Sequence, residues 1–551
     1  MQILSAAEMQ ACDRATTERF GVPSLQLMRN ASAAVASFAR ERFPKARRIT
    51  VLCGRGNNGG DGMMAARLLG GQGLQVTVLL LGGPDGIKGD AAEAWNKLES
   101  AANCRIAVIE RDEQFAQHQA ALEADLIIDA ILGTGFTPPM RGLPLAALEW
   151  ARSSPAPILA VDLPSGWPAD ETRGTIPDPV FSADAVITFT APKPAHVFCA
   201  LTRRWSQPIV VAPIGSPDEA ILSDLNLHWA GSAQALFHAP RKADANKGSF
   251  GHVLVAGGSF GTAGGKAGAP AMTSLAAMRS GAGLVTAAVP SPALPVIAGI
   301  APELMTLPLE ANAGGEILPV NAGPSRIEAL MKGITVLAAG PGMGQGADAQ
   351  QFLMLLLLAT KMPVVIDADG LNILAKLPDL MAELCRQKRT IVLTPHPGEM
   401  ARLAGIETGE VQGSRLETAR SFAAKHGVIL VLKGARTLIA HPDGRVAVNT
   451  SGNPGMAKGG SGDLLTGVIA GLLAQYVQDA ARAVEAAVWL HGLAADLAVR
   501  VKNEHTLLAT DALAEFSRAF DFRSSGKNGY VWLQGLPAGS STAQCTCEAA
   551  E

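Results

Sequence analysis

Two α/β domains, each a three-layer αβα arrangement around a mostly parallel sheet, are what this sequence predicts. Three observations lead there. Short continuous apolar runs alternate with longer helical patterns, which is how doubly covered strands and their crossover helices read. The alternation stops across residues 212–246 and then starts again. Hydrophobic residues make up 48% of the 551 and 59 residues are glycine, enough apolar material for more than one core and enough freedom for many tight turns.

Taken in order, the first series of strands is expected at 49–53, 75–81, 126–130, 158–162 and 185–189, with helices such as 62–69 and 91–98 between them. That βαβ rhythm implies parallel pairing. Pro213, Gly215, Pro217 and Pro240 interrupt it, and a domain boundary is expected near residue 230. The second series runs through 252–256, 335–339, 363–367, 390–394 and 428–432. The domains are accordingly set at 1–225 and 235–520, and they share no motif that would make them repeats. The segment 521–551, rich in Gly, Ser and Ala, is expected to be a poorly ordered tail.

A formal charge of -3 and an aromatic content of 5% give no basis for nucleic-acid binding or for attraction to an acidic membrane. The densest apolar run, 352–359, is too short to span a bilayer. With no basic region and apolar core at the start, no signal peptide is expected, and a cytoplasmic enzyme is the default. Seven scattered cysteines do not form a disulfide framework. Cys545 and Cys547 read as an exposed, reducible pair, the alternative being a soft-metal site, though no histidine or second pair accompanies them.

The most informative stretch is Asn453-Pro-Gly-Met-Ala-Lys-Gly-Gly-Ser-Gly-Asp463, directly before an apolar segment. Its glycines let backbone N–H groups converge, and the helix that follows adds positive potential, so the loop suits an anion. Asp463 at its rim can take a proton from an attacking hydroxyl. The competing reading is a tight strand-to-helix turn with a capping aspartate. In the first half, Cys53-Gly-Arg-Gly-Asn-Asn-Gly-Gly-Asp-Gly62 follows a strand, the favoured ligand position in open α/β sheets. Asp129 ends another strand before Gly133-Thr-Gly-Phe-Thr-Pro-Pro139, Asp162 ends a third in Val161-Asp-Leu-Pro-Ser-Gly166, and Lys193 follows a fourth. Asp162 also reads as a turn cap before Pro164, and Lys193 as a surface lysine after Pro192.

These first-half blocks, in this order, resemble the NAD(P)H-hydrate epimerase (YjeF N-terminal) family over residues 1–220, which implies a Rossmann-like domain. The resemblance implies that Asn57, Asn58, Gly59, Gly60 and Asp61, with Gly133, Thr134, Gly135, Phe136, Thr137, Pro138 and Pro139, bind the hydrated dinucleotide. It implies K⁺ at Asn58, Asp129 and Ser165, and places Asp162 beside the altered ring. Asp162 is the chosen acid/base group, with Lys193 as its partner.

The second half adds Gly257-Gly-Ser-Phe-Gly261, Gly268-Ala-Pro270, Gly340-Pro-Gly-Met-Gly344, Asp367-Ala-Asp-Gly-Leu-Asn372, Thr394-Pro-His-Pro-Gly-Glu399 and Lys433-Gly-Ala-Arg-Thr437. With the Asp463 loop, which is similar to the anion hole of ribokinase-like kinases, they resemble the ADP/ATP-dependent NAD(P)H-hydrate dehydratases over 235–515, a branch of the ribokinase-like fold. The resemblance implies that Ala269, Gly342, His396 and Asp463 line the hydrated-dinucleotide site. Lys433, Gly434, Ala435, Arg436, Thr437 and Gly462 would bind ADP or ATP, brought with Mg²⁺. Histidine replaces the usual asparagine in His396-Pro-Gly-Glu399, which argues against direct ligation of the metal by Glu399.

The implied enzyme is bifunctional. It epimerises R and S NADHX and NADPHX and dehydrates the S form at the expense of ADP or ATP, releasing AMP or ADP and phosphate. A homo-oligomer is expected. Two other readings stay open at this point. One is a small-molecule kinase, of a vitamin precursor for example, with an accessory N-terminal domain. The other makes the first half a nucleotide-sensing or protein-binding module. His491, on a late apolar helix, reads as structural, and Lys458 as either a charge at the nucleotide site or a solvent-facing residue.

Overall fold

The apolar run Arg48–Cys53 forms strand β1, and its residues divide by parity: Ile49, Val51 and Cys53 pack into one core and Leu52 into another. Successive side chains of a strand point to opposite faces, so a continuously apolar strand is one covered on both sides. In this computed structural model, which describes residues 1–174, 176–262, 264–526 and 528–537, the chain divides into two compact units. The first comprises Met1–Leu227 together with the segment from Arg523.

Beside β1, the first sheet contains β2 (Gln75–Leu81), β3 (Cys104–Ile109), β4 (Leu126–Ala130), β5 (Ile158–Val161), β6 (Ala185–Phe189) and β7 (Ile209–Ala212). They are parallel, in the order β7-β6-β5-β4-β1-β2-β3. The order reverses between β1 and β4, and a crevice beyond the carboxyl ends is the consequence. The helix after β1 starts earlier than expected, at Asn57 rather than Gly62, so the asparagines occupy its first turn and not a loop. Close packing of that turn explains its glycines. A Cβ on Gly59 would lie 1.9 Å from the Gly54 carbonyl oxygen, and one on Gly62 would lie 2.5 Å from the Ala130 Cβ.

The second unit, His228–Phe522, holds a sheet of β8 (Leu227–Trp229), β9 (His252–Ala256), β12 (Leu284–Pro290), β13 (Met305–Leu309), β14 (Val336–Ala339), β15 (Val364–Ile366), β16 (Ile391–Leu393), β17 (Ile429–Leu432), β18 (Leu438–Ala440) and β19 (Val446–Val448). A small hairpin of β10 (Phe260–Gly261) and β11 (Gly264–Gly265) stands apart. The strand order is β13-β12-β9-β14-β15-β16-β17-β18-β19-β8, parallel from β13 to β17 and antiparallel in the β17-β18-β19 meander. Here the switch lies between β9 and β14. Helix Ser461–Gln475 packs against helix Gly268–Arg279 through Gly467 and Gly471, whose Cβ positions fall 2.1 Å from Thr273 O and 2.6 Å from Ala277 O. Among the described residues, no single helix is long and apolar enough to cross a membrane.

The segment expected to be a disordered tail from residue 521 needs correcting over its described part. Val531–Gln534 is β20, which pairs antiparallel with β7 and closes that edge of the first sheet. Tyr530 and Trp532 are 6% and 5% exposed, and both meet the Phe38 ring edge-on at centroid distances of 6.0 and 6.1 Å. The Gly/Ser/Ala composition around them obscured a short apolar run, Tyr530-Val-Trp-Leu533. Cys545 and Cys547 lie outside the described residues. Trp532→Ala is expected to lower the stability of the first unit by about 3–5 kcal/mol, read as a downshift of its own thermal transition with the second unit's transition unmoved.

Candidate active sites

At the switch point of the first sheet lies a cavity of about 1220 Å³. Asn57, Asn58, Asp61, Gly133, Thr134, Gly135, Phe136, Thr137, Asp162 and Lys193 all line it. Gly59, Gly60, Pro138 and Pro139 are not part of that lining. Gly60 packs inward, a Cβ there meeting the Met28 side chain at 2.8 Å.

Asp162 follows β5 with φ 64, a left-handed conformation that aspartate tolerates better than most residues. His196 braces it. The His196 Nδ1 accepts the Lys193 amide at 2.9 Å, so Nε2 carries the proton and donates to the Asp162 carbonyl at 2.7 Å. Burial, reinforced by the Lys193 charge, pulls this imidazole down to about 4, which keeps the ring neutral and that tautomer in place. The sequence reading missed His196. Its signal was the Lys193-Pro-Ala-His196 spacing, one turn of a helix that opens with Pro194.

Lys193 is not a surface lysine but a buried one at the cavity wall. Its side chain is 2% exposed, and Nζ donates to Asp162 Oδ1 at 2.9 Å and to Thr188 Oγ1 at 2.8 Å. Thr188 in turn donates to Asp162 Oδ1 at 2.8 Å. Burial works to raise the Asp162 carboxyl, but the Lys193 charge and these hydrogen bonds hold it below the ordinary carboxylate range. Asp162 is therefore an ionised group with Oδ2 turned toward Gly133.

Behind the cavity wall, Asp129 is fully buried and accepts from Ser165 N at 2.8 Å and Ser165 Oγ at 2.6 Å. Burial pushes its carboxyl up to about 6 despite those bonds. Asn58 donates Nδ2 to Leu132 O at 3.0 Å, while its buried Oδ1 has no donor. An orphan amide oxygen beside a buried carboxylate and a hydroxyl is a donor set that fits a hard monovalent cation.

In the second unit, Asp463 lies in the first turn of helix Ser461–Gln475, entered through Gly460 at φ 94. The Ser461 amide reaches Lys458 O at 3.4 Å, whereas those of Gly460, Gly462 and Asp463 have no backbone acceptor among the described residues. Lys458 itself turns away and donates to His505 O at 2.6 Å. Burial raises the Asp463 carboxyl to about 6, repulsion from Asp367 adds to this, and Lys433 opposes it.

Asp367 was quoted with its block but given no role, yet it organises this site. It receives Lys433 Nζ on Oδ1 at 2.8 Å and Thr466 Oγ1 on Oδ2 at 2.7 Å. Burial would lower the Lys433 ammonium, but the charges of Asp367 and Glu399 reverse that and leave it raised. A Cβ on Gly462 would lie 3.3 Å from Lys433 Nζ, so the lysine approaches this turn closely. Gly434 and Arg436 have φ 142 and 57, which shape the turn from β17 to β18, and Thr437 Oγ1 donates to Gly434 O at 2.9 Å. Ala435 belongs to the same turn. Ala269 and Gly342 adjoin each other, with a Gly342 Cβ position 3.2 Å from the Ala269 Cβ. His396 caps helix Pro397–Ala404, its Nδ1 accepting from Gly398 and Glu399, as the asparagine it replaces would do. Glu399 returns the bond to His396 N at 2.9 Å, which engages one carboxylate oxygen within the cap. His491 is buried on helix Ala480–Ala498, and burial lowers its imidazole to about 4.

Removing one partner of the buried Lys193–Asp162 pair exposes the cost of the other. Lys193→Met is expected to destabilise the first unit by about 3–5 kcal/mol at neutral pH. With its counter-charge gone, Asp162 would sit above its unfolded value, so part of the loss is recovered as pH falls and the carboxyl protonates. Urea unfolding at pH 7 and pH 5 checks both points, and a loss of equal size at the two values contradicts the second.

Two family models match the chain: one described as YjeF-related protein N-terminus over residues 24–195, and one described as NAD(P)H-hydrate dehydratase over residues 253–518. The Bifunctional NAD(P)H-hydrate repair enzyme Nnr of Moorella thermoacetica is 39% identical over 521 residues, covering 93% of this chain and 95% of that protein. The Escherichia coli protein of the same name is 34% identical over 529 residues, with 95% of each covered. Among solved structures, the Bacillus subtilis ADP/ATP-dependent NAD(P)H-hydrate dehydratase, co-crystallised with ATP/Mg²⁺, is 33% identical and covers 53% of this chain and 96% of its own, with a TM-score of 0.45. Identity of this extent, running through both units, means that the chain belongs to the family of bifunctional NAD(P)H-hydrate repair enzymes.

Proposed function

We propose that the first unit interconverts the R and S epimers of hydrated NADH and NADPH, and that the second dehydrates the S epimer with ADP or ATP as phosphoryl donor. One observation carries the dehydratase assignment: Asp463, raised to about 6, sits in a helix first turn whose neighbouring amides are free. Hydroxide leaves slowly from the hydrated ring. Asp463 takes the proton of that hydroxyl, and the oxygen attacks the terminal phosphorus of the nucleotide and releases AMP or ADP. The amides of Gly460, Gly462 and Asp463 stabilise the charge on the transferred group. Phosphate then leaves from carbon, the adjacent ring carbon gives up a proton to water, and the C=C bond so formed restores the dihydropyridine. Lys433 is held between Asp367 and Glu399 at 2.8 and 3.8 Å, close to where the phosphates would lie. Mg²⁺ would arrive with the nucleotide, the carboxylates around Lys433 ordering its water. Arg436 and Thr437 bound the nucleotide side, and Ala269, Gly342 and His396 the dinucleotide side.

In the first unit the dinucleotide occupies the large cavity, its phosphates at the first turn of helix Asn57–Gly71 and the loop 133–137, its altered ring at Asp162. Asn58, Asp129 and Ser165 would hold K⁺, which supplies positive charge beside those phosphates. A cytoplasmic setting and a homo-oligomeric assembly belong to the same proposal. The kinase reading leaves the Asn57–Asp61 cavity without a purpose, whereas full-length relatives carry both halves under one repair-enzyme name.

The test is chromatography of mixed R and S NADHX incubated with the protein, Mg²⁺, K⁺ and either ADP or ATP. Conversion of both epimers to NADH is expected. Loss of the S form alone removes the epimerase, and no conversion with either donor removes both assignments. Asp463→Asn is expected to slow dehydration by on the order of a hundredfold or more with nucleotide affinity nearly intact. Since the base must be ionised, wild-type dehydration should rise with pH through about 6 and then level off. A rate that declines over that range rules out Asp463 as the base.

A further inference from the structure

Epimer exchange needs a proton donor as well as an acceptor, because the ring hydroxyl leaves only as water. Lys193 already directs its ammonium to Asp162 and Thr188, and only 2% of its side chain is exposed. Asp162 is held ionised by that same lysine. Another carboxyl enters the cavity from a different element. Asp13 projects from helix Ala6–Glu18 and lines the cavity together with Asp61, Asp162 and Lys193. Its Oδ1 is buried and has no hydrogen-bond partner among the described residues.

We propose that Asp13 is the general acid of epimer exchange and works as a pair with the Asp162 carboxylate, an inference that rests on the epimerase reading above. A buried carboxyl oxygen with no protein partner, facing a ligand cavity, is a group whose hydrogen bond is left for the ligand. Asp13 gives its proton to the hydroxyl oxygen. The C–O bond breaks as the ring nitrogen lone pair forms the C=N bond, and water is released. Water then adds to the other face of that carbon, the C=N electrons return to nitrogen, and the proton lost from the adding water goes to Asp162. Asp162 then passes its proton to water and Asp13 takes one up from water, so both carboxyls return to their starting states and no oxidant or further reactant is consumed.

The surroundings agree with this role. Burial pushes Asp13 up to about 6, with the Lys193 charge pulling it down and the Asp162 charge pushing it further up. The other ionisable groups lining this cavity are Asp61, itself raised by burial and by Asp162 and Asp13, Arg14 and Glu18 on its own helix, and Arg55 and Asp90. An acid near 6 beside an ionised partner is an acid/base couple split by environment.

The test uses the full chain carrying Asp13→Asn, which keeps the shape and removes the proton. Exchange of purified R-NADHX is followed by chromatography with no nucleotide present. A hundredfold or greater loss is expected, with dehydration of S-NADHX by the same preparation unchanged and the first unit's thermal transition retained. Wild-type exchange should fall as pH rises above about 6, and the variant's residual rate should lose that dependence. Asp13→Asn exchange within threefold of wild type overturns the proposal, whatever Asp61→Asn does. So does a flat wild-type pH profile, which decides the matter even where the variant fails to fold. Failure of the wild-type protein to exchange epimers sinks the epimerase reading and this inference with it.

Discussion

Burying a lysine against an aspartate removes two charges from water at a cost of several kcal/mol per ion, and it is tolerable only when geometry and hydrogen bonds are complete. This chain does so in both units, with the same parts. Lys193 meets Asp162 at 2.9 Å and Lys433 meets Asp367 at 2.8 Å. A threonine hydroxyl completes each pair, Thr188 on Asp162 and Thr466 on Asp367. Each pair stands at the carboxyl end of a central strand, β5 or β15. Around each, another carboxyl is left without a matching cation and rises toward neutrality: Asp13 in one unit, Asp463 in the other. The ion pairs fix the charge that the neighbouring acid feels, and so bias the protonation state it would bring to the proposed reactions.

What brings these groups together is sheet topology and close backbone approach. In both sheets the strand order reverses beside β1 or β9, and the loops that follow diverge there to leave room for a ligand. Glycine permits the rest. In the first unit Gly59 and Gly62 let a helix start hard against the loop after β1 and against β4. In the second, Gly467 and Gly471 seat the Asp463 helix on the backbone of its neighbour, and Lys433 approaches Gly462 closely. At Gly59, Gly62, Gly467 and Gly471 a Cβ would come within 2.6 Å of a neighbouring atom, so the helix would have to shift.

Much of this was legible in the chain itself. Asp162 and Asp463 stood out because strand ends and glycine loops are local features, read from a few consecutive residues. The parallel sheets followed from short apolar runs. Asp13 and His196 were not visible in this way, since their importance depends on tertiary approach to Asp162 from a helix that precedes the sheet and from a turn after β6. Asp367 was visible as a strand end, but its coupling to Lys433 and Thr466 depends on residues 66 and 99 positions away. Lys193 was recognised but its burial was not, because burial cannot be read from a Pro-Lys-Pro sequence. The helix start at Asn57 was misplaced because glycine and asparagine are poor helix formers on average, and only packing makes them necessary here.

The edge strand β20 has a consequence for how this protein is made and divided. Its partner β7 ends at Ala212, yet β20 begins at Val531, so the whole second unit is written into the gene between two neighbouring strands of the first. During synthesis the outer edge of β7, whose inner edge pairs with β6, must wait until residues 531–534 have left the ribosome. A gene cut near codon 230 would therefore not yield two complete halves. The upstream product would carry a bare sheet edge and an uncovered Phe38, while the downstream product would end in an orphan strand.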